Sequence, residues 1–162
     1  MDRDAQVGSI PIVILLGALV LAVLPLPAAI APFKPAWVAV TLLYWSLAAP
    51  HRFSLLTSFC MGLGLDTLSG SLLGQHALGL LLIVYISQRF HLRLRAFPIS
   101  QLTLTVAALL ALYQFVLFWV DGVAGRTVPI VQSWAPVASG TLLWLFAWTA
   151  FTQGRRRAPA RL

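Results

Sequence analysis

Six apolar stretches, separated by short connections, constrain the fold of this chain more than any other feature. They cover residues 10–30, 36–49, 53–68, 75–90, 99–120 and 134–151. A helix that spans a bilayer needs roughly 20 apolar residues, with about 17 as a working minimum. The first, fifth and sixth stretches reach this length, whereas the second has only 14 residues. A hydrophobic content of 60% and a mean hydropathy of +0.90 lie outside the range of soluble domains. The sequence therefore predicts an all-α integral membrane protein, folded as a compact bundle of six transmembrane helices.

Residues 36–68 could form one helix or two. A single helix of 33 residues would be about 50 Å long at 1.5 Å per residue, which is too long for one crossing. It would also bury Arg52 near its midpoint, which is costly in hydrocarbon. Proline favours a break in a helix. We therefore predict a helical hairpin that turns at Pro50, His51 and Arg52.

The basic residues divide unequally between the two sides of a six-span bundle. One side would carry Arg3, Arg52, Arg89, Arg93, Arg95, Arg155, Arg156, Arg157 and Arg161, and the other only Lys34 and Arg126. Because positively charged connections stay in the cytoplasm, both termini are predicted to be cytoplasmic. A five-span topology would divide the basic residues eight against two, so the charge distribution alone does not decide between the two topologies. The cost of burying Arg52 in the membrane favours six spans. The formal charge of +7 does not indicate nucleic-acid binding, because no basic face with interleaved aromatics is present.

The N-terminal stretch imitates a cleavable signal peptide. It is longer than the usual apolar region of about 7–15 residues and contains Pro25 and Pro27, so we expect it to be retained as the first span. The longest connection, residues 121–133, has no room for a domain. Residues 1–154 are predicted to form a single membrane domain, and residues 155–162 a basic cytoplasmic tail.

Asp66 is one of only four carboxylates and lies among apolar and small residues. An ionisable group in such a segment is costly unless it faces the protein interior. Two interpretations stay open: a structural role, as a helix cap or an ion pair with Lys34 or Arg126, and a functional contact. A proton relay is disfavoured, because the outer side offers only Asp66, His76 and Asp121.

Small and polar residues recur every four positions around Asp66, at Ser54, Ser58, Gly62 and Gly70. The middle three positions of this series share one helix face. Small residues on a face allow close approach of another helix, and polar ones hydrogen-bond across the contact. The face could serve packing within the protein or contact with a partner, and packing is favoured.

The sequence of residues 69–76 predicts a glycine-rich turn that leads to the fourth span. Gly70 and Gly74 have the GxxxG spacing, but across a turn this is weak support for dimerisation. Gln75 and His76 are expected to be polar residues of a solvated loop.

Enzyme chemistry has little support in the sequence. Asp2 and Asp4 lie in the N-terminal tail, the three histidines are not at ligand spacing, and no HExxH, GxSxG or P-loop motif is present. Cys60 is the single cysteine, which excludes an intramolecular disulfide, and we expect it to be a core residue. We predict a non-enzymatic protein without a metal or a cofactor.

Several short motifs resemble the rod shape-determining protein MreD family of small multi-span inner-membrane proteins. They occur in the order and spacing of that family, mainly between residues 33 and 85. The motifs are Phe33-Lys34-Pro35-Ala36-Trp37, Leu43-Tyr44-Trp45, Ala49-Pro50-His51-Arg52, Met61-Gly62-Leu63-Gly64-Leu65-Asp66 and Ser69-Gly70-Ser71-Leu72-Leu73-Gly74. After Arg95 the resemblance is mainly one of hydropathy, with Phe118-Trp119 as a local match.

The resemblance implies a non-catalytic scaffold or regulator of the cell-wall elongation complex in the cell inner membrane. Implied partners are MreC, the RodA glycosyltransferase, its penicillin-binding transpeptidase and MreB filaments, besides membrane lipid. The implied fold is similar to the substrate-binding S-components of energy-coupling-factor transporters. The alternative is therefore a small-molecule-binding or transport subunit. Candidate partner or structural residues are Asp66, Gly62, Ser58, Gly70, Gly74, Trp37, Tyr44, Trp45, Pro50, His51 and Arg52.

Overall fold

A computed structural model describes residues 2–27, 30–49, 55–127 and 129–157, with the side chains of 2–10, 131–132 and 151–157 left undescribed. Every regular element in these ranges is helical, which confirms the all-α class. The helices are α1 (Asp2–Val23), α2 (Trp37–Ala48), α3 (Leu55–Ser69), α4 (Gln75–Arg89), α5 (His91–Ala96), α6 (Ile99–Val123) and α7 (Ile130–Arg157), with a short 3-10 turn at Ala31–Phe33.

The six longer helices follow the six apolar stretches in order, with two differences. The expectation that the first helix continues to residue 30 is wrong, because α1 ends at Val23. Pro25 and Pro27 follow directly, and a residue that precedes proline is disfavoured in helical conformation. The second difference is α5, a short helix in a connection for which none was predicted.

The proposed break between the second and third stretches agrees with two separate helices. α2 ends at Ala48, and Ala49 leaves the helical conformation with φ −145° and ψ 68°. α3 begins at Leu55 in the described part of the chain. Pro50, His51 and Arg52, predicted to form the turn, lie outside the described residues.

Among the residues described with side chains, α6 is the helix long and apolar enough to cross a membrane by length and composition. The apolar parts of α1, Pro11–Val23, and of α3, Leu55–Ser69, are shorter. The six-span arrangement thus stays a prediction.

α4 lies at the centre of the bundle and packs against α3, α2 and α6, while α7 packs against α6 and α2. The side chains of α4 that face inward are completely or almost completely buried; they are Leu80, Ile83 and Val84. Trp144 of α7 is also fully buried and stacks on Trp148, with ring centroids 5.5 Å apart. These contacts form one continuous apolar core.

The two ends of the bundle differ in chemistry. At one end, called the outer end here after the predicted topology, residues 34–36, 69–71 and 126 come together around two cavities. At the opposite, inner end, Arg95 of α5 binds the end of α2. Its Nε donates to the carbonyl of Leu47 and its Nη2 to that of Ala48, both at 2.6 Å. These carbonyls have no partner within their own helix, so the guanidinium caps α2.

Candidate functional site

The side chain of Asp66 lies at the outer end, near the C-terminus of α3, and is completely buried. It points at the turn formed by residues 70–74 and at the first residues of α4. A buried carboxylate is stable only when hydrogen-bond donors surround it. The chain supplies these donors from the segment that follows α3.

Five donors bind the two carboxylate oxygens. Oδ1 accepts from the hydroxyl of Ser71 (2.8 Å), the backbone N–H of His76 (2.9 Å) and Nδ1 of the His76 ring (2.7 Å). Oδ2 accepts from the backbone N–H groups of Gly74 (2.8 Å) and Ala77 (3.4 Å). An ionised carboxylate offers about four lone-pair positions, so Asp66 is saturated by its own chain.

The electrostatics of this arrangement favour a charged Asp66. The first N–H groups of a helix have no partner within the helix and give its N-terminus a partial positive charge. Gly74, His76 and Ala77 present three such groups of α4 to the carboxylate. Because an ionised carboxylate only accepts hydrogen bonds, the short contact assigns a proton to Nδ1 of His76. We name this set, Asp66, Ser71, Gly74, His76 and Ala77, the Asp66 latch.

Two glycines let the chain turn back into the latch. Gly70 has φ +65° and Gly74 has φ +98°, a conformation that residues with a Cβ atom adopt only at a cost. The backbone N–H of Ser71 also donates to the carbonyl of Asp66 (3.2 Å), which holds the start of the turn. The turn therefore depends on glycine conformation and not on a GxxxG helix contact.

The predicted face of α3 packs inside the protein. Ser58, Gly62 and Asp66 are all buried, and Gly62 lies directly against Ala77 of α4. Ser58 donates to the carbonyl of Leu55 in its own helix (2.7 Å). Close approach of α3 and α4 at Gly62 brings the N-terminus of α4 within reach of Asp66.

Of the open interpretations of Asp66, the structure supports the helix cap. An ion pair with Lys34 or Arg126 is not formed; the ammonium of Lys34 donates instead to the carbonyl of Leu24 (2.8 Å). Burial lowers the pKa of this ammonium, because removal from water disfavours its charged form. The partner of Asp66 is instead His76, which was not predicted from the sequence.

Two expectations about exposure are wrong. Gln75 and His76 do not belong to a solvated loop: Gln75 is buried, and His76 is half-buried against Asp66. They start α4, where the turn folds back under the end of α6. Cys60 is exposed and is not a core residue, because it lies on the face of α3 opposite to Ser58 and Gly62.

The aromatic candidates lie on α2, and one of them, Trp37, also lines the smaller outer cavity together with His76 of the latch. Tyr44 and Trp45 meet edge to face, with ring centroids 5.4 Å apart. Together with Trp37 they line an apolar groove of about 300 Å³ between α1, α2 and α7. Tyr44 and Trp45 thus lie beside α7 and apart from the latch, whereas Trp37 lines both this groove and the cavity next to the latch.

Two adjoining cavities lie at the outer end, next to the latch. Their volumes are about 250 Å³ and 150 Å³, and both are lined by Ser69, His76, Gln114 and Leu117. Gln75 lines the larger cavity, and its Nε2 donates to the carbonyl of Leu117 (3.3 Å). Polar groups thus line a space that water or a small ligand would fill.

The latch does not have the geometry of a catalytic triad. In a triad the nucleophile binds the imidazole nitrogen remote from the carboxylate, whereas the Ser71 hydroxyl lies 3.2 Å from Nδ1, the nitrogen that also binds Asp66. The side chains that the structure describes contain no group of three His, Cys, Asp or Glu residues able to hold a metal ion. What the arrangement does chemically is fix one helix end to another.

Comparison with known proteins agrees with the sequence motifs. A family model described as rod shape-determining protein MreD matches residues 2–152. A curated relative, the rod shape-determining protein MreD of Haemophilus influenzae, is 38% identical over 104 residues. This match covers 64% of the chain and 64% of the relative's length. No solved structure matches the chain.

Proposed function

Because the chain belongs to the rod shape-determining protein MreD family, we propose that it acts as a non-catalytic membrane scaffold of the cell-wall elongation complex. The family match over residues 2–152 is the observation that carries this proposal. Membership of the family supports a role in determining rod shape, and this role is the first part of the proposal. The partners, the six spans and the non-catalytic mechanism are the further content of the proposal.

The proposed topology is six crossings of the inner membrane with both termini in the cytoplasm. The inner basic connections would then face anionic lipid, which contributes about 1 kcal/mol per basic residue near the surface. The geometry of the bundle supports this proposal. Lys34, Ser69 and Arg126, from three connections predicted to share the outer side, lie at one end, and Arg95 caps α2 at the other.

The proposed partners are MreC, the RodA glycosyltransferase and its penicillin-binding transpeptidase, with MreB filaments on the cytoplasmic side. A bundle with short connections binds other membrane proteins mainly through exposed helix faces. On α3 such a face carries Leu56, Phe59 and Leu68 together with Cys60. Since the opposite face of α3 is fixed to α4 by the latch, the latch would determine how this exposed face is presented.

The first test compares Asp66→Ala with Ser58→Ala in cells that depend on this protein. Both residues are buried on the same face of α3, but only Asp66 holds the turn and α4 together. We expect Asp66→Ala to impair rod shape and recovery of partner proteins, and Ser58→Ala to do so much less. Equal, negligible effects of the two variants would remove the latch from the proposed function.

The second test uses Cys60, the single cysteine of the chain, which is exposed. A thiol-reactive photo-crosslinker attached to Cys60 in membranes is expected to capture one of the wall-synthesis partners. The matched control is Cys60→Ser, which should give no product under the same treatment.

A third test is depletion of the protein from cells. Cells that stay rod-shaped after depletion would argue against the scaffold role, and impaired solute uptake in such cells would favour the transport alternative.

A further inference from the structure

We propose that the exposed side of the α4–α5 junction, at the inner end, binds an anionic phospholipid with its headgroup at Arg89 and Arg93. General attraction of anionic lipid to the inner basic connections belongs to the proposed topology, on which this inference rests. The structure goes further, because it separates these two arginines from the other basic residues and places them beside exposed apolar side chains. We name the set Tyr85, Arg89, Leu92 and Arg93 the inner lipid site.

The side chains of this site share one side of the chain. α4 and α5 are separated by a single residue, and backbone hydrogen bonds between residues four apart continue across the junction. Ser87 and Leu94, seven residues apart, are both buried, whereas Tyr85 and Leu92, with the same separation, are 53% and 74% exposed. Seven residues are about two helical turns, so the junction keeps a buried side and an exposed side. Arg89, four residues after Tyr85, is exposed as well.

The charges at this junction lack counter-charges. Arg95 binds the end of α2 through its guanidinium, whereas Arg89 and Arg93 are exposed and take part in no ion pair within the described residues. The carboxylates whose side chains the structure describes, Asp66 and Asp121, both lie at the outer end. Two positive charges without an acidic neighbour favour a partner with negative charge.

The apolar neighbours favour a lipid over an acidic protein segment. In a chain that spans a membrane, an arginine at a helix end keeps its charged group among the lipid headgroups and its stem in the hydrocarbon. Tyr85 lies about 6 Å deeper than Arg89 along α4, at the level where tyrosine side chains are enriched. A phospholipid offers a phosphate for the guanidinium groups and acyl chains for Tyr85 and Leu92. An acidic peptide offers only the charge.

The test measures lipid retention by the purified full chain in detergent. Native mass spectrometry compares phosphatidylglycerol with phosphatidylcholine that carries the same acyl chains. We expect preferential retention of phosphatidylglycerol. Glycerol 3-phosphate, which has the charged group without acyl chains, should not displace it at equal concentration.

Two double variants distinguish this site from general attraction to a basic protein. Arg89→Gln combined with Arg93→Gln should weaken retention of phosphatidylglycerol about 25-fold, which corresponds to about 1 kcal/mol for each basic residue near the membrane surface. Arg155→Gln combined with Arg156→Gln removes the same charge from the C-terminal sequence and should have a much smaller effect. Neither change should alter retention of phosphatidylcholine.

Three results would overturn the proposal. The first is equal retention of the two lipids by the parent protein; binding of a glutamate-rich peptide in that case would assign the surface to an acidic protein segment. The second is an equal effect of the two double variants, and the third is displacement of the lipid by glycerol 3-phosphate at equal concentration, which would indicate a soluble anion.

The test stays decisive if a variant does not fold, and it is independent of cell shape. Arg89 and Arg93 are exposed, so their replacement should not affect folding. If the double variant nevertheless fails to fold, the comparison of headgroups on the parent protein still tests the site. Rod-shaped cells after depletion would contradict the scaffold role without changing lipid retention, and loss of lipid selectivity would leave the scaffold role intact.

Discussion

A Cβ atom on Gly62 would lie 2.2 Å from the Cα of Ala77 and 2.6 Å from its backbone nitrogen. These distances mean that α3 and α4 meet backbone to backbone, with no flexible side chain between them. Gly62→Ala must therefore push the two helices apart. We expect it to lower the free energy of unfolding by about 1–3 kcal/mol, the usual cost of overpacking. Thermal unfolding of the detergent-solubilised protein measures this change.

Gly64 offers a matched control on the same helix. A Cβ atom there meets nothing within 4 Å. Alanine also favours a helix over glycine by about 1 kcal/mol, so Gly64→Ala should leave stability unchanged or raise it slightly. If Gly62→Ala were tolerated as well as Gly64→Ala, the close approach of α3 and α4 would not exist in the folded protein.

The Asp66 latch predicts a large effect from a change of a single atom type. Asp66→Asn keeps the shape of the side chain but replaces one acceptor oxygen by an NH2 group. That group would face N–H or O–H donors, so at least one buried donor loses its partner. An unsatisfied buried donor costs about 1–3 kcal/mol. We expect a lower unfolding temperature for this variant and a still lower one for Asp66→Ala.

Proteolysis provides a local measurement of the same latch. Residues 70–74 connect α3 to α4, and Ser71 and Gly74 attach this connection to the carboxylate of Asp66. In Asp66→Asn this connection should be cleaved faster than in the parent protein, whereas the connection at residues 124–129 should be cleaved at the parental rate. A resistant 70–74 connection would show that the turn does not need the charged carboxylate.

Part of this site could be predicted from the sequence. The four-residue spacing correctly predicts that Ser58, Gly62 and Asp66 share a buried face, because side-chain positions on a helix follow from the 3.6-residue period. A cap role for Asp66 was one of the open interpretations. The choice of partner could not be predicted, because it depends on how the turn at Gly70 and Gly74 places α4. A carboxylate followed by two turn glycines and a histidine is the signal that would have indicated it.

Other features depend on tertiary packing and are only weakly indicated by the sequence. Gln75 and His76 are polar and follow a glycine turn, so they suggest a solvated loop; only the position of α6 over α4 buries Gln75. Cys60 lies in an apolar segment, but in a membrane helix an apolar residue can face lipid as well as the core. α5 is too short, at six residues, for a periodic pattern to be recognised.

One basic residue at the inner end, Arg95, has a specific structural role. Its two hydrogen bonds, to the carbonyls of Leu47 and Ala48, need the planar fork of a guanidinium. Arg95→Lys keeps the charge but retains at most one of the bonds, so it should lower the free energy of unfolding by about 1 kcal/mol. Arg93→Lys, at an exposed arginine of the same helix, should have no effect. If the two variants were equally stable, Arg95 would contribute only its positive charge at the inner end and not a specific cap of α2.

The pair of serines between α2 and α4 tests whether polar contacts fix the centre of the bundle. The hydroxyl oxygens of Ser46 and Ser87 lie 2.8 Å apart and are fully buried. Ser46 also donates to the carbonyl of Leu43 (2.9 Å), so Ser87 must be the donor between the two serines. Interhelical hydrogen bonds in membrane proteins contribute about 0.6 kcal/mol on average and up to about 1.7. A double-mutant cycle of Ser46→Ala and Ser87→Ala should give a coupling energy in this range, since each single variant already breaks the bond and the double variant loses little more. If the two losses were additive, the hydroxyl groups would be neighbours without a bond, and apolar packing alone would hold α2 against α4.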